Sequence, residues 1–410
     1  MVNGQIVYNL FSQTDPQKHA KERKPIVKYY SMSAILALET HMDKIIGQLC
    51  HELEVRFMDG PDSGKVCNLG DWVLYYTWDV VGAVTFSQPI GYLSKGYDFD
   101  GTLGNAEKAL DYFSVVGAIP WLDHVFDKNR IYRLGPPGFG SITGISIQHL
   151  IDRYQGKDSD YHDPAKPDFL DHFIEAKTAG ADEGVDDGQI VSWLMINMIA
   201  GADTTAITIR SALYHSLKNP RVWQRLHADL SAAGLTNSCS TSPPSYAACR
   251  SVAYLDAVVN EALRILPGVS LSLERYVPPG GYSLPDGAGF VPEGVIVGLN
   301  PYLAARNRSV WGPDADEFRP ERWLRDEAGG ESEEAFRERL IVMNEATISF
   351  GGGRRVCIGK HMGLVQVFKV VATLVMSYDV ELADPDKGLK VINSWFPRQE
   401  GFNVRLSRRL

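Results

Sequence analysis

The chain has 410 residues, 44% of them hydrophobic and 22% charged, which excludes a mostly disordered polypeptide and allows one large fold or two or three modules. With 41 basic and 50 acidic residues the net charge is −9, which argues against a general binder of polyanions. Five scattered cysteines (Cys50, Cys67, Cys239, Cys249 and Cys357) form no C-x-x-C pair, so neither a disulfide framework nor a zinc ribbon is suggested.

The opening residues Met1 to Gln5 lack the charged, apolar and small-residue regions of a signal peptide. His19 and Arg23 follow at i, i+4, one face of a helix. Over 33–58 the apolar positions Ile35, Leu36, Leu38, Ile45, Ile46 and Leu49 recur at helical spacing. Residues 71–86 are apolar nearly all round, which predicts a helix buried on most faces. A short helix is predicted over 170–178, then an acidic, glycine-containing stretch to Gly188 and an apolar helix from about Gln189. That helix is interrupted by Asn197, Gly201 and Asp203, so it reads as a core helix and not a membrane span. Residues 236–246 are polar and proline-rich, an exposed loop. Past residue 270, turn signals such as Pro285-Asp286-Gly287 flank short runs such as Val295-Ile296-Val297, the pattern of a small β region. Helix returns over 361–377, and short strands close the chain from Val380 to Leu406. The order predicts one mainly α (α+β) domain over 1–410.

The most specific segment is FGGGRRVCIG, Phe350 to Gly359. Its glycines let backbone approach a flat ligand, while backbone N–H groups, Arg355 and the start of a helix would favour a thiolate at Cys357. Such a thiolate suits an axial haem ligand, and the alternative is a glycine turn around a buried structural cysteine. Upstream, Ala200 to Thr205 (AGADTT) place an acid and two alcohols inside an apolar helix, where they compete with the helix ladder. Asp203 could instead be a helix cap. Glu261 and Arg264 share a helix face, and Arg322 follows in the run Phe318 to Trp323; alone, the first two would make an ordinary surface pair.

Together these segments resemble the cytochrome P450 superfamily of haem-thiolate monooxygenases, in motif order across nearly the whole chain. The resemblance implies the helix-rich P450 fold with heme b, its iron ligated by the Cys357 thiolate. It implies that Arg355, His19, Arg23 and Arg275 hold the haem carboxylates, with Phe350 packed near the ligand loop. Thr204 becomes the alcohol that hydrogen-bonds dioxygen and Asp203 the acid that relays protons. Glu261, Arg264 and Arg322 become a structural triad locking the cysteine loop. Pocket-lining residues would be Ile196, Ala200, Thr205, Ser270, Leu273 and Phe396. The phrasing of residues 9–35 resembles fungal members that tailor secondary metabolites. The implied substrate is then a hydrophobic small molecule, with electrons from a separate NADPH–cytochrome P450 reductase and cytochrome b5 as a further candidate donor. No dinucleotide-binding fingerprint follows a strand, so a self-sufficient fusion is not expected. Against the longer eukaryotic members, the chain reads as lacking an N-terminal anchor and the first sheet strands. A mispredicted gene start, an engineered truncation and a natural short form remain open. The family implies the cytosolic face of the endoplasmic reticulum; without an anchor the expectation is cytoplasmic. Two further readings stay open: a haem-thiolate isomerase, dehydratase or peroxygenase, and an inactive haem-binding fragment.

Overall fold

The computed structural model describes residues 9–409 apart from 61–62, 130, 132–133, 136–137, 180–183 and 236–242. Its longer helices are α1 (Pro16–Arg23), α2 (Glu39–Phe57), α3 (Leu69–Phe86), α4 (Thr102–Ala118), α5 (Gly140–Gln155), α6 (Phe169–Ala179), α7 (Asp187–Gly201) and α8 (Asp203–Lys218). They continue with α9 (Pro220–Ala232), α10 (Ala253–Ile265), α11 (Glu333–Ala346) and α12 (Lys360–Ser377). Helix α3 is buried along nearly its whole length, as its all-round apolar sequence demands, and packs on α2, α7 and α8. Helix α12 is buried from Val365 to Ser377 and packs against α8 and α10. One main apolar cluster, running from Leu10 to Leu406, joins these helices.

Among the described residues, nine short strands make four small antiparallel sheets: β1 (Cys67–Asn68) with β9 (Asn403–Arg408) and β6 (Tyr378–Leu382); β2 (Leu273–Tyr276) with β5 (Ile296–Leu299); β3 (Tyr282–Ser283) with β4 (Phe290–Val291); β7 (Lys390–Ile392) with β8 (Arg398–Glu400). The β2–β5 pair is largely exposed, and Tyr276, Ile296 and Leu299 stand open to solvent. The helix-rich α+β architecture with a small late β region is the one the sequence predicts.

The differences are local. The helix predicted over 33–58 is two, Met32–Ala37 and α2, parted at Leu38, whose φ of −89° and ψ of 0° leave the helical region. The predicted apolar helix starts at Asp187 because the Asp186 carboxylate caps it, accepting from the Gln189 N–H at 2.8 Å. It then parts into α7 and α8 at Ala202, where ψ is −65°. Together they form a stretch of 32 residues apolar enough to span a membrane, yet it is packed through the core on α3, α5 and α12. Of the proline-rich loop expected over 236–246, residues 236–242 lie outside the described residues, and Tyr246 already begins a short helix. Cys239, the opening residues Met1 to Gln5 and part of the acidic stretch lie outside them too. Cys50 is disulfide-bonded, although the cysteine pattern suggested no disulfide framework, while Cys67, Cys249 and Cys357 are free thiols.

Candidate active site

Phe350 to Gly359 fold into a tight loop that ends on α12. Gly351 and Gly353 adopt φ values of 69° and 58°, where a side chain would be strained. The Cys357 N–H donates to the Phe350 carbonyl at 2.9 Å and closes the loop. Cys357 has protein on most sides yet remains accessible to solvent. Burial pushes its pKa up, while the backbone N–H groups of Gly359 and Lys360 and the Lys360 charge pull the other way. Those amides are the first of α12, whose dipole places positive charge at the sulfur. Lys360 Nζ also lies 5.6 Å from the centre of the half-buried Phe350 ring.

Three arginines and a histidine from three parts of the chain gather beside this loop. The Arg355 guanidinium donates to the Gln13 carbonyl. His19 is buried on α1; burial, Arg355 and then Arg23 depress its imidazole pKa. Burial and then Arg275 depress Arg355 in the same way, with Glu22 opposing. Arg275 is itself exposed on β2 and donates to the Glu274 carbonyl at 2.6 Å. Like charges brought together against one carboxylate form a donor set for a ligand with two acidic groups. With an enclosed thiol beside them, these residues fit haem, whose carboxylates and iron they would hold.

The second wall is the α7–α8 junction. The Thr204 hydroxyl donates to the Ala200 carbonyl at 2.8 Å and that of Thr205 to Gly201 at 2.7 Å. Back-bonding of this kind bends helices, and the break falls between these residues. Of the three small residues Ala200, Gly201 and Ala202, only Ala200 leaves space on an accessible face. A Cβ on Gly201 would lie 3.1 Å from both Met362 and Val81, and Ala202 is fully buried, so these two serve packing. Ile196 and Ala200 are half-buried, one turn apart. Thr204 is half-buried too, and a Cβ on Gly268 would come within 3.0 Å of it. Thr205, expected at the pocket, instead lies 3.4 Å from the Cβ position of Gly363 on α12, about 100° round the helix from Thr204.

Asp203 is half-buried where α8 begins. The Trp78 indole N–H donates to its Oδ1 at 3.2 Å. Burial raises its carboxyl pKa, opposed by the Trp78 bond and by Arg210. Arg210 is buried and anchored on the Gly70 carbonyl by Nε at 2.8 Å and Nη2 at 2.5 Å. The remaining pocket residues are dispersed. Ser270 is buried, its hydroxyl turned onto the Pro267 carbonyl at 3.1 Å. Leu273 lies 4.0 Å from the Cβ position of Gly351, beside the cysteine loop. Phe396 is buried with Leu110, Ile207, Ile265 and Leu266.

Glu261, Arg264 and Arg322 do come together, fully out of solvent. Arg264 grips Glu261 through Nε at 2.8 Å and Nη2 at 2.7 Å, and Arg322 Nε reaches Oε1 at 2.9 Å. The other guanidinium N–H groups are satisfied by carbonyls of Ala305, Ala315 and Glu317 for Arg264 and of Trp311 and Asp314 for Arg322. The Ser349 hydroxyl, next to the cysteine loop, donates to the Leu263 carbonyl at 2.8 Å and ties the loop to α10. Sequence reasoning missed Ser349, Trp78, Arg210 and Trp323, whose indole donates to Glu261 at 2.9 Å. Trp323 ends the Phe318–Trp323 run and could have been noticed there; Trp78 sits in an apolar helix where any indole reads as core.

A family model described as Cytochrome P450 matches residues 3–400. Among curated proteins, the chain is 42% identical over 408 residues to the cytochrome P450 monooxygenase cfoH of Aspergillus candidus, covering 100% of this chain and 74% of that protein. It is 34% identical to the cytochrome P450 monooxygenase mpaDE of Penicillium roqueforti, covering 98% of this chain but 45% of the longer relative. It is 32% identical to the cytochrome P450 monooxygenase cicH of Emericella nidulans, covering 100% of this chain and 78% of the other.

Proposed function

Because the chain belongs to the cytochrome P450 family, and is thus a haem-dependent monooxygenase with cysteine-thiolate ligation, we propose that Cys357 is the ligand of its haem iron. The observation that carries this reading is a convergence: an enclosed yet accessible sulfur, faced by the amides of Gly359 and Lys360, beside His19, Arg23, Arg275 and Arg355. In this reading the cations hold the two haem carboxylates, Phe350 packs beside the ligand loop, and the Glu261–Arg264–Arg322 cluster keeps that loop in register. When bound, the haem supplies the activation of dioxygen and the transfer of one oxygen atom to a C–H bond.

The chain's own part is to bind, orient and move protons. Thr204 spends its hydroxyl proton on the Ala200 carbonyl, which leaves its oxygen lone pairs to accept from a proton donor. Asp203, with its pKa raised by burial, can hold a proton nearer neutrality than an exposed carboxyl and release it, as a general acid must. Ile196 and Ala200 give the half-buried apolar face for a small hydrophobic substrate, which we assign to fungal secondary metabolism. Ser270, Leu273 and Phe396 belong to the surrounding wall. Electrons arrive from a separate NADPH–cytochrome P450 reductase at the cytosolic face of the endoplasmic reticulum, with cytochrome b5 a further donor. The docking face is that of exposed Arg354 and Lys360. The whole chain acts as one domain, as its continuous core supports.

The test is an absorption difference spectrum of the haem-loaded chain, reduced with dithionite and exposed to carbon monoxide. The strongly red-shifted Soret band of thiolate ligation is expected, and Cys357→Ser should abolish it. A band at the ordinary position in the unsubstituted protein, or a red-shifted band surviving in Cys357→Ser, overturns the assignment.

A further inference from the structure

Asp203 is held by a neutral group. Among the described residues, the Trp78 indole is the one hydrogen-bond partner of its carboxylate, and no cation forms an ion pair with it. Arg210, whose charge acts on it, lies two turns along α8 with both of its described bonds spent on the Gly70 carbonyl. Trp78 is 1% exposed and packs edge-on to Tyr92, 6.1 Å between ring centres, so it has no room to change rotamer.

The chemistry of this pairing is specific. A guanidinium or ammonium partner would fix Asp203 as an anion and lower its pKa, which suits structure and not proton transfer. An indole N–H donates, accepts nothing and carries no charge. It can therefore orient the carboxyl in both protonation states. Because Oδ1 accepts the indole hydrogen, the acid's own proton belongs on Oδ2.

We propose that Trp78 is a positioning residue that holds Asp203 by Oδ1 and so directs the exchangeable proton to Oδ2. This rests on the reading of Asp203 as a proton carrier. The charged and titratable groups around the pair include Tyr92 against the Trp78 ring, Arg210 on α8, Asp71 and Tyr75 on α3, and Glu107 on α4, which in turn faces Arg398 on β8. Glu107 is partly open to solvent, and its charge and that of Asp203 oppose one another.

Two measurements on the haem-loaded protein test this. The first is an NMR spectrum of the indole N–H groups in the diamagnetic ferrous–CO state. The resonance absent from Trp78→Phe should shift with pH in the unsubstituted protein and stop shifting in Asp203→Asn. A Trp78 resonance indifferent to both pH and Asp203→Asn overturns the proposal. The second is the share of NADPH electrons that ends in hydrogen peroxide and not water, measured with a fungal P450 reductase and no added substrate. Replacing Trp78 by benzothienylalanine, which keeps the indole shape and removes the N–H, should slow proton-dependent water formation about tenfold relative to peroxide. If Asp203→Asn raises the peroxide share and the Trp78 isostere does not, the positioning role fails while the proton-carrier reading stands. If Asp203→Asn itself leaves the share unchanged, the proton-carrier reading fails and the proposal with it.

Discussion

Both oxygens of Glu261 are saturated by Arg264, Arg322, the Trp323 indole and the Arg319 backbone N–H, all at 2.7 to 2.9 Å. Two guanidinium charges therefore share this carboxylate in a buried place, and the Asp314 carboxylate, 3.4 Å from Arg322, is a second counter-charge for Arg322 alone. Glu261→Gln keeps the shape and removes the counter-charge, and should cost about 3–5 kcal/mol, read from denaturant midpoints. Trp323→Phe, which removes one donor to a charged group, should cost about 1.5–3 kcal/mol. Equal losses in the two variants would mean that the cluster is held by packing and not by charge. At this scale the sequence was legible where residue type and spacing imply a charge relation, as for Glu261 and Arg264. It was illegible for Trp78 and Ser349, whose partners lie 125 and 86 residues away and leave no local periodicity.

Helices α7 and α8 show the same division between pattern and placement. Their apolar composition and the alcohols of Thr204 and Thr205 announce a core helix under local strain. Nothing in the order Ala200-Gly201-Ala202 says which small residue faces open space, because that depends on where Met362 and Val81 arrive from α12 and α3. Gly201→Val should drive a branched side chain into both and cost about 1–3 kcal/mol by overpacking, seen as a lower unfolding temperature with weaker haem retention. Ala200→Val, on the accessible face, should leave stability within about 0.5 kcal/mol and alter only which ligands shift the haem spin state. A destabilisation by Ala200→Val as large as that by Gly201→Val would mean that Ala200 is core as well.

Across the whole molecule, the continuous core from Leu10 to Leu406 follows from a long chain with ordinary apolar content, and the helix-rich class from its periodicity. The small sheets were legible only as a region, because strands of two to six residues carry too few alternations to fix partners. Stability against acid has a named contributor. Burial holds the His215 pKa down at about 4, with Glu261 opposing and Arg306 and Arg264 adding to the depression, while its ring stacks on Phe318 at 5.0 Å. The unfolded chain takes up this proton near pH 6.5, so the folded state loses stability as pH falls from there towards 4, by about 2 kcal/mol between pH 7 and 5. His215→Phe keeps the stack and should remove that part of the acid loss, measured by denaturation at the two pH values. An unchanged pH slope would place the loss on other groups. The bond from Arg355 to the Gln13 carbonyl spans 342 residues, so early and late parts of the polypeptide meet at one group of basic side chains. Closing a loop of that length costs about 5 kcal/mol of chain entropy. A dianion seated there is therefore also a clasp: it couples segments far apart in the chain and makes cofactor capture a late step in assembly. Hydrogen exchange on a chain stripped of it should show fraying that begins at α1 and leaves α3 and α12 protected.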